Sequence, residues 1–269
     1  MYLIGSAKDR VEPMIKVALT GAQGRMGILV MQELSKQNDM KLVAGLDIIG
    51  ENKPLLGDIT VRHASRIGEI LSQTDPDVLI DFTEPKAAIN NVLCAVENNV
   101  NLVVGTTGFT QDQMMLMRNA IDGKVSAVIS PNFSVGINVF WKLIALAADN
   151  LKDYDVEIIE AHHNQKKDAP SGTALAAVEI LKKSLGDIEV KSGREGIRLR
   201  GKEIGMHAIR AGDIVGDHTV LFAGPGERLE IKHQAHSRTN FASGAIKAAR
   251  WVVSARTGIY NMADVLGLK

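Results

Sequence analysis

The 269-residue chain has a single cysteine, Cys94, which excludes an intrachain disulfide and a cysteine-rich zinc site and suits a reducing compartment. Aromatic residues make up only 4%, too few for a base-stacking platform. There is no charge excess either: 31 Lys and Arg balance 31 Asp and Glu, at a pI near 7.1, so no nucleic-acid partner is expected. Long apolar runs are missing as well. Met1–Pro13 starts apolar but then carries Lys8, Asp9, Arg10 and Glu12, so no signal-peptide core forms, and Val125–Trp141 is broken by Pro131, Asn132, Ser134 and Asn138. The expectation is a soluble cytoplasmic protein with no membrane partner. Against these absences stand 45% hydrophobic and 23% charged residues, enough to bury a core in one large domain or two ordinary ones.

Strand-like and helix-like patterns alternate through the first half. Ile15–Thr20, Met40–Asp47, Val78–Asp81, Leu102–Gly105 and Ala127–Ser130 are short apolar runs, and helical spacing falls between them at Arg25–Gln37, Lys86–Asn98 and Gln111–Asp122, the last with Thr110 as N-cap. This rhythm predicts an α/β fold with a parallel sheet covered on both faces. After Pro131 the pattern changes to helix over Gly136–Leu151, strand over Tyr154–Ala161 and helix over Ser171–Leu185. Strands are then expected at Ile204–Ala211, His218–Ala223 and Arg228–Ala235, followed by helix over Thr239–Ala255. Pro131-Asn132 and Ser237–Asn240 are the expected hinges.

The first motif is Gly21-Ala22-Gln23-Gly24-Arg25-Met26-Gly27, between a strand and a helix. Gly21 and Gly24 lack side chains, so the backbone can turn tightly and approach a pyrophosphate at the helix N-terminus. Asp47 ends the next strand, where its carboxylate can accept from an adenosine ribose. A plain Gly-rich turn is the alternative, since Ala22 replaces one glycine of the common spacing. Asp81-Phe82-Thr83 and Gly105-Thr106-Thr107-Gly108 follow what this pattern makes the third and fourth strands, on the edge where ligands of open α/β sheets sit.

The sharpest motif is Glu157–Ala174, in which His162 and His163 end a strand, Lys166 and Lys167 follow, and Pro170-Ser171-Gly172-Thr173 opens a helix. The N–H groups of Ser171–Thr173 offer a carboxylate cradle, with Lys166 as a point charge beside it, and a histidine can deliver or hold a proton. A metal site on His162, His163 and Glu160 or Asp168 is opposed by strand alternation and by two nearby ammonium groups, so no metal is expected. A solvated basic loop is the other alternative. His207, His218 and His233 fall on strand patterns and are read as structural, Cys94 as buried filler, and Arg238 as a weaker candidate for a ligand contact.

Together these residues resemble the 4-hydroxy-tetrahydrodipicolinate (dihydrodipicolinate) reductase family, from about Ile15 to Leu266. Beyond the motifs above, Asn132–Gly136, Arg210–Asp213 and Gly226–Arg228 agree with it. The resemblance implies a discontinuous Rossmann-like domain, residues 1–133 and 241–269, and an α+β domain over 134–240 whose mixed sheet binds substrate and builds a homotetramer. It implies reduction of a cyclic imine dicarboxylate by NADH or NADPH, with His162 as acid/base residue and Lys166 as proton donor. His163, Gly172, Thr173 and Thr107 would hold the substrate. Gly21, Ala22, Gln23, Gly24, Arg25, Met26, Asp47, Gly105, Thr106, Thr107, Ser130, Pro131, Asn132 and Phe133 would contact the cofactor. Ile48 stands where the family often has arginine, and Glu84 where some members do. Both weigh toward NADH being used at least as well as NADPH. Glu157–Ala174 argues against another nicotinamide dehydrogenase, and intact His162 and Lys166 argue against a non-catalytic dinucleotide sensor.

Overall fold

Strand side chains alternate between faces, and this alternation sorts the first half of the chain into two cores. A computed structural model describes residues 14–268; the signal-peptide expectation on Met1–Pro13 lies outside them. β1 (Ile15–Thr20), β2 (Met40–Asp47), β3 (Val61–His63), β4 (Val78–Asp81), β5 (Asn101–Val104), β6 (Ser126–Ile129) and β12 (Gly258–Tyr260) form a seven-stranded parallel sheet in the order β12-β6-β5-β4-β1-β2-β3. Val17, Leu19, Ile80, Val103 and Val128 face α1 (Arg25–Leu34), α7 (Thr239–Val252) and α8 (Met262–Leu266). Ala18, Leu46, Leu79, Leu102 and Ala127 face α2 (Ile67–Thr74), α3 (Pro85–Glu97) and α4 (Gln111–Ile121). Strand order reverses at β1, which has β2 on one side and β4 on the other, and such a switch point opens a crevice at the strand C-termini.

The second sheet is mixed. β7 (Asp155–His162), β8 (Glu189–Ser192), β9 (Glu203–Arg210), β10 (Gly216–Gly224) and β11 (Glu227–Ala235) lie in the order β11-β10-β7-β9-β8. The β7, β9 and β8 strands are parallel, and β10 runs antiparallel to both its neighbours. Val156, Ile158, Ile204, Met206, Val220 and Phe222 pack one face onto α5 (Val135–Asn150) and α6 (Gly172–Leu185), each large side chain contributing about 1.5–3 kcal/mol by leaving water. Ile159 and Ile209 stay exposed.

The chain leaves the first sheet after β6 and rejoins it through α7. The two crossings touch: a Cβ on Gly244 of α7 would lie 1.8 Å from the Phe133 carbonyl oxygen, so only glycine lets the helix seat there. Thr110 caps α4 as expected, in a reciprocal box with Gln113. The structure adds five elements the sequence pattern did not supply: β3, α2, β8, β12 and α8. Asp81 and Gly105 therefore follow the fourth and fifth strands, not the third and fourth.

Candidate active site

The crevice at the switch point begins with the Gly-rich turn. Gly21 has φ +74°, and a Cβ there would meet the Phe82 carbonyl oxygen at 2.8 Å. A Cβ on Gly27 would lie 2.1 Å from the Gly21 oxygen, so this glycine lets α1 pack against the turn. The turn therefore needs glycine at both positions for close packing, which a plain Gly-rich turn and a dinucleotide fingerprint share. No side chain among the described residues caps α1, and its first turn carries no acid, which leaves the N-terminus suited to an anion. Asp47 reaches back to this turn, accepting from Gln23 N at 2.8 Å, Ile48 N at 2.8 Å and Ile49 N at 3.3 Å. Ala22 is buried under the turn, Met26 is half-buried, and Arg25 is exposed.

The loops after β4 and β5 are organised by Asp81, whose carboxylate has no exposed surface. It accepts from Thr20 Oγ1 at 2.7 Å, Asn91 Nδ2 at 2.7 Å, Thr106 Oγ1 at 2.6 Å and Thr83 Oγ1 at 3.0 Å. The Thr106 hydroxyl is thus turned inward, whereas Thr107 stands exposed at the crevice. Gly105 is explained by packing: a Cβ there would lie 2.1 Å from Phe82, whose ring meets Phe133 edge-on at 5.8 Å. In the first crossing the Ser130 hydroxyl donates to the Asn132 carbonyl, and Pro131 is exposed beside a cleft of 800 Å³ between α5, α6 and α8. Asn132 Nδ2 donates to Thr173 Oγ1 at 3.1 Å, joining the loop after β6 to the start of α6.

Glu157–Ala174 folds as the end of β7, a loop and the first turn of α6. His162 ends β7 facing inward and is 9% exposed; His163 turns the other way, and its Nε2 lies 3.2 Å from Arg238 Nη2 of the second crossing. Lys166 Nζ pairs with Asp168 at 2.8 Å, and that ammonium holds the Asp168 carboxyl below its usual range. The cradle is narrower than Ser171–Thr173, because Ser171 N donates to Glu160 Oε1 at 3.1 Å and the Ser171 hydroxyl caps Ala174 N. Gly172 and Thr173 keep their N–H groups unpaired among the described residues. Among the described residues no group of three His, Cys, Asp or Glu side chains is arranged to hold a metal, and no helix is long and apolar enough to cross a membrane.

Two family models cover nearly all of this architecture: dihydrodipicolinate reductase, N-terminus, matches residues 15–133, and its C-terminus model matches 136–266. The chain belongs to the dihydrodipicolinate reductase family. A relative from Methanosarcina barkeri, a 4-hydroxy-tetrahydrodipicolinate reductase, is 54% identical over 264 residues, covering 95% of this chain and 100% of its own. One from Methanocaldococcus jannaschii, of the same description, is 47% identical, covering 95% and 98%. The dipicolinate-bound dihydrodipicolinate reductase of Paenisporosarcina sp. TG-14 superposes with a TM-score of 0.79 at 29% identity, covering 93% of this chain and 98% of that one. An amine dehydrogenase from Mycobacterium smegmatis, at 16% identity and TM-score 0.61, shares the fold. As a member of the family, the protein is a pyridine-nucleotide-dependent reductase of the diaminopimelate route to lysine.

Sequence reasoning missed three groups of this reductase's cluster. Glu160, fully buried, accepts from His162 Nδ1 at 2.5 Å and from both Arg210 Nη atoms at 2.8 and 2.9 Å. Burial alone would raise the Glu160 carboxyl, but Arg210 and His162 bring it below the usual carboxylate value. His218, read as merely structural, stacks edge-on against His162 at 5.2 Å and lies 3.2 Å from the Ser171 hydroxyl. Burial, with His162 beside it, pushes His218 down to about 4. Burial also lowers His162, against the opposing pull of Glu160. The only sequence signal for Arg210 was its family-like Arg-Ala-Gly-Asp run. Its partnership with Glu160 is a matter of β7–β9 register, in which it lies opposite His162.

Proposed function

We propose that this reductase converts 4-hydroxy-tetrahydrodipicolinate, or dihydrodipicolinate, to tetrahydrodipicolinate with NADH or NADPH, using His162 and Lys166 to handle the proton. The observation that carries the proposal is the Asn132–Thr173 bond, which puts the cofactor-side loop against a cradle containing a cation and a histidine. Gly21–Met26, Asp47, Gly105–Thr107 and Ser130–Phe133 would hold the dinucleotide, and the glycine contacts and uncapped α1 fit a pyrophosphate there. When bound, the nicotinamide supplies the hydride.

The remaining work falls to the chain's own side chains. The Gly172 and Thr173 N–H groups and Lys166 Nζ draw one substrate carboxylate, and His163 and Thr107 flank the ring. Asp168 pairs with Lys166 Nζ and holds it in the loop, where Lys166 Nζ can donate the proton that the enamine left after reduction needs. His162, its Nδ1 tied to Glu160, has only Nε2 to hold or move a proton. The second crossing, through Arg238, links substrate loop and α7, a path by which closure of the two sheets could exclude water.

We also infer a cytoplasmic homotetramer assembled through the uncovered face of the second sheet. That inference is supported by exposed Ile159 and Ile209 and by Ile197 and Leu199 in the loop before β9. Light scattering reads the assembly mass directly. The decisive activity test is spectrophotometric NADH consumption with freshly generated dihydrodipicolinate. Absence of consumption by folded protein with either cofactor would overturn the assignment.

A further inference from the structure

Glu160 makes more polar contacts than a carboxylate needs merely to be neutralised. Its Oε2 accepts from His162 Nδ1 at 2.5 Å and Arg210 Nη1 at 2.9 Å, and its Oε1 accepts from Arg210 Nη2 at 2.8 Å and Ser171 N at 3.1 Å. All four acceptor positions of the carboxylate are used. Arg210 goes further, donating Nη2 to the Asp168 carbonyl at 2.6 Å and Nη1 to the Ile209 carbonyl at 2.7 Å. One guanidinium therefore joins the buried acid on β7, two residues before His162, to the end of its own strand β9 and to the loop carrying Lys166.

We propose that Arg210 is a positioning residue for the proton step: by sharing Glu160 with His162 it fixes the imidazole with its Nδ1 proton inward while keeping the ring from being locked as a permanent cation. The proposal rests on the assignment of His162 as the proton-handling group. A buried carboxylate serving histidine alone would favour the imidazolium strongly. The same carboxylate held in a bidentate fork by arginine already has its charge balanced, and acts as an orienting acceptor. The other groups facing the ring are His218 on β10, which burial holds neutral near physiological pH, and Lys166 on the loop, with Asp168 behind it. Lys166 and Arg210 both oppose a charge on His162, and burial opposes it most. The arrangement leaves the ring able to change charge at Nε2, while its orientation is held through Nδ1.

Removing the guanidinium should therefore raise the pH at which His162 titrates. Two measurements on the full-length protein test this. In histidine-labelled protein, ring nitrogen NMR reports tautomer and titration midpoint without any turnover, with His162 assigned by the signal lost in His162→Gln. The wild type should show the Nδ1–H tautomer when neutral. Arg210→Met should move the midpoint up by about one pH unit. Arg210→Lys, which restores the charge but not the fork, should return most of that shift while kcat stays several-fold down. In kinetics, the limb of the kcat/KM–pH profile that disappears in His162→Gln should move upward in Arg210→Met by a similar amount. A neutral wild-type ring protonated at Nε2 would overturn the proposal. So would an Arg210→Met protein whose kcat falls with midpoint and limb unmoved, the pattern of a purely structural residue. If Arg210→Met does not fold, the wild-type tautomer and the Arg210→Lys midpoint still decide. If His162 is not the proton-handling group, His162→Gln keeps near-normal turnover and its pH limb, while the ring titration still reports on Arg210.

Discussion

Two carboxylates, Asp81 and Glu160, are buried without any exposed surface, each near the C-terminal end of a central strand of its sheet, and they are satisfied by opposite means. Asp81 is held by hydroxyls and an amide from Thr20, Thr83, Thr106 and Asn91. Glu160 is held by a guanidinium, an imidazole and one backbone N–H. The neutral cage ties together the ends of β1, β4 and β5 through hydroxyls and an amide, and on the reading proposed above it shapes a surface for a ligand that brings its own chemistry. On the proposed mechanism, the charged cage supports a ring that exchanges a proton. The first sheet would then position, and the second supply the acid and base.

The largest effect should come from cutting the proton-handling groups alone. His162→Ala and Lys166→Ala should each lower turnover by roughly 10²–10⁴-fold, while NADH affinity, set at the other cage, stays nearly unchanged. Steady-state kinetics with NADH titrated by fluorescence checks both halves. Near-normal turnover in both variants would remove the contrast between the sheets.

His218 offers a stability test of the charged side. Its pKa falls from 6.5 in the unfolded chain to about 4 when folded, because of burial. Above the unfolded value both states are neutral and the full stability is present. As pH falls from there toward about 4, the unfolded chain binds a proton that the folded one refuses, so stability is progressively lost, by about 3 kcal/mol at the lower end. Urea unfolding at about pH 7 and about pH 5 should show a loss in the wild type that shrinks by about 2 kcal/mol in His218→Gln. Equal losses in both would mean that His218 is solvated in the folded state.

Asp81→Asn probes the neutral cage. The new amide presents donors to Asn91 Nδ2 or to the threonine hydroxyls. The hydroxyls can rotate to accept, but neither Asn91 Nδ2 at one oxygen position nor the Thr83 backbone N–H at the other can, so about 1–3 kcal/mol of stability should be lost. Thermal unfolding measures it, and turnover per folded molecule should suffer far less than in Lys166→Ala.

Much of this contrast could be read from the sequence on one side only. The Gly-rich turn, Asp47 and the apolar runs announce the first sheet because parallel buried strands read as continuous Val, Leu and Ile. β3 escaped because only Val61 of its three residues is buried, and β12 because none of Gly258–Tyr260 is. α2 was visible in principle through Ile67, Ile70 and Leu71 at helical spacing. On the second sheet, His162 and Lys166 could be picked out because the chemistry crowds into one segment. Glu160 stood in that same segment, yet its role was hidden: its partners Arg210 and Ser171 lie 50 and 11 residues away and meet it through strand register and helix capping. The inward turn of the Thr106 hydroxyl was invisible for the same reason, since it depends on Asp81, 25 residues earlier.

The smallest expected effect concerns the outer end of the dinucleotide. Asp47 uses Oδ2 on Gln23 N and Oδ1 on Ile48 N and Ile49 N, which leaves one acceptor position for a ribose hydroxyl. A 2′-phosphate brought to the same place would face this carboxylate, a like-charge contact at short range. Ile48 and Ile49, 74% and 62% exposed, put apolar surface where a compensating guanidinium would have to stand. Two cations remain nearby. Arg25 is exposed in the turn, and the Lys53 stem and the Gln23 side chain both approach Gly50, where a Cβ would lie 3.1 Å from Lys53 Cδ and 3.2 Å from Gln23 Oε1. Lys53 is thereby placed beside the loop that Asp47 anchors, so NADPH should be accepted, but with no advantage over NADH. Lys53→Ala should lower kcat/KM for NADPH several-fold and leave that for NADH within about twofold, because exposed single charges are worth under about 1 kcal/mol. The comparison belongs at one low ionic strength, where screening does not mask it. A wild-type preference for NADPH above about tenfold, or about 1.4 kcal/mol, would mean that Lys53 and Arg25 together outweigh Asp47.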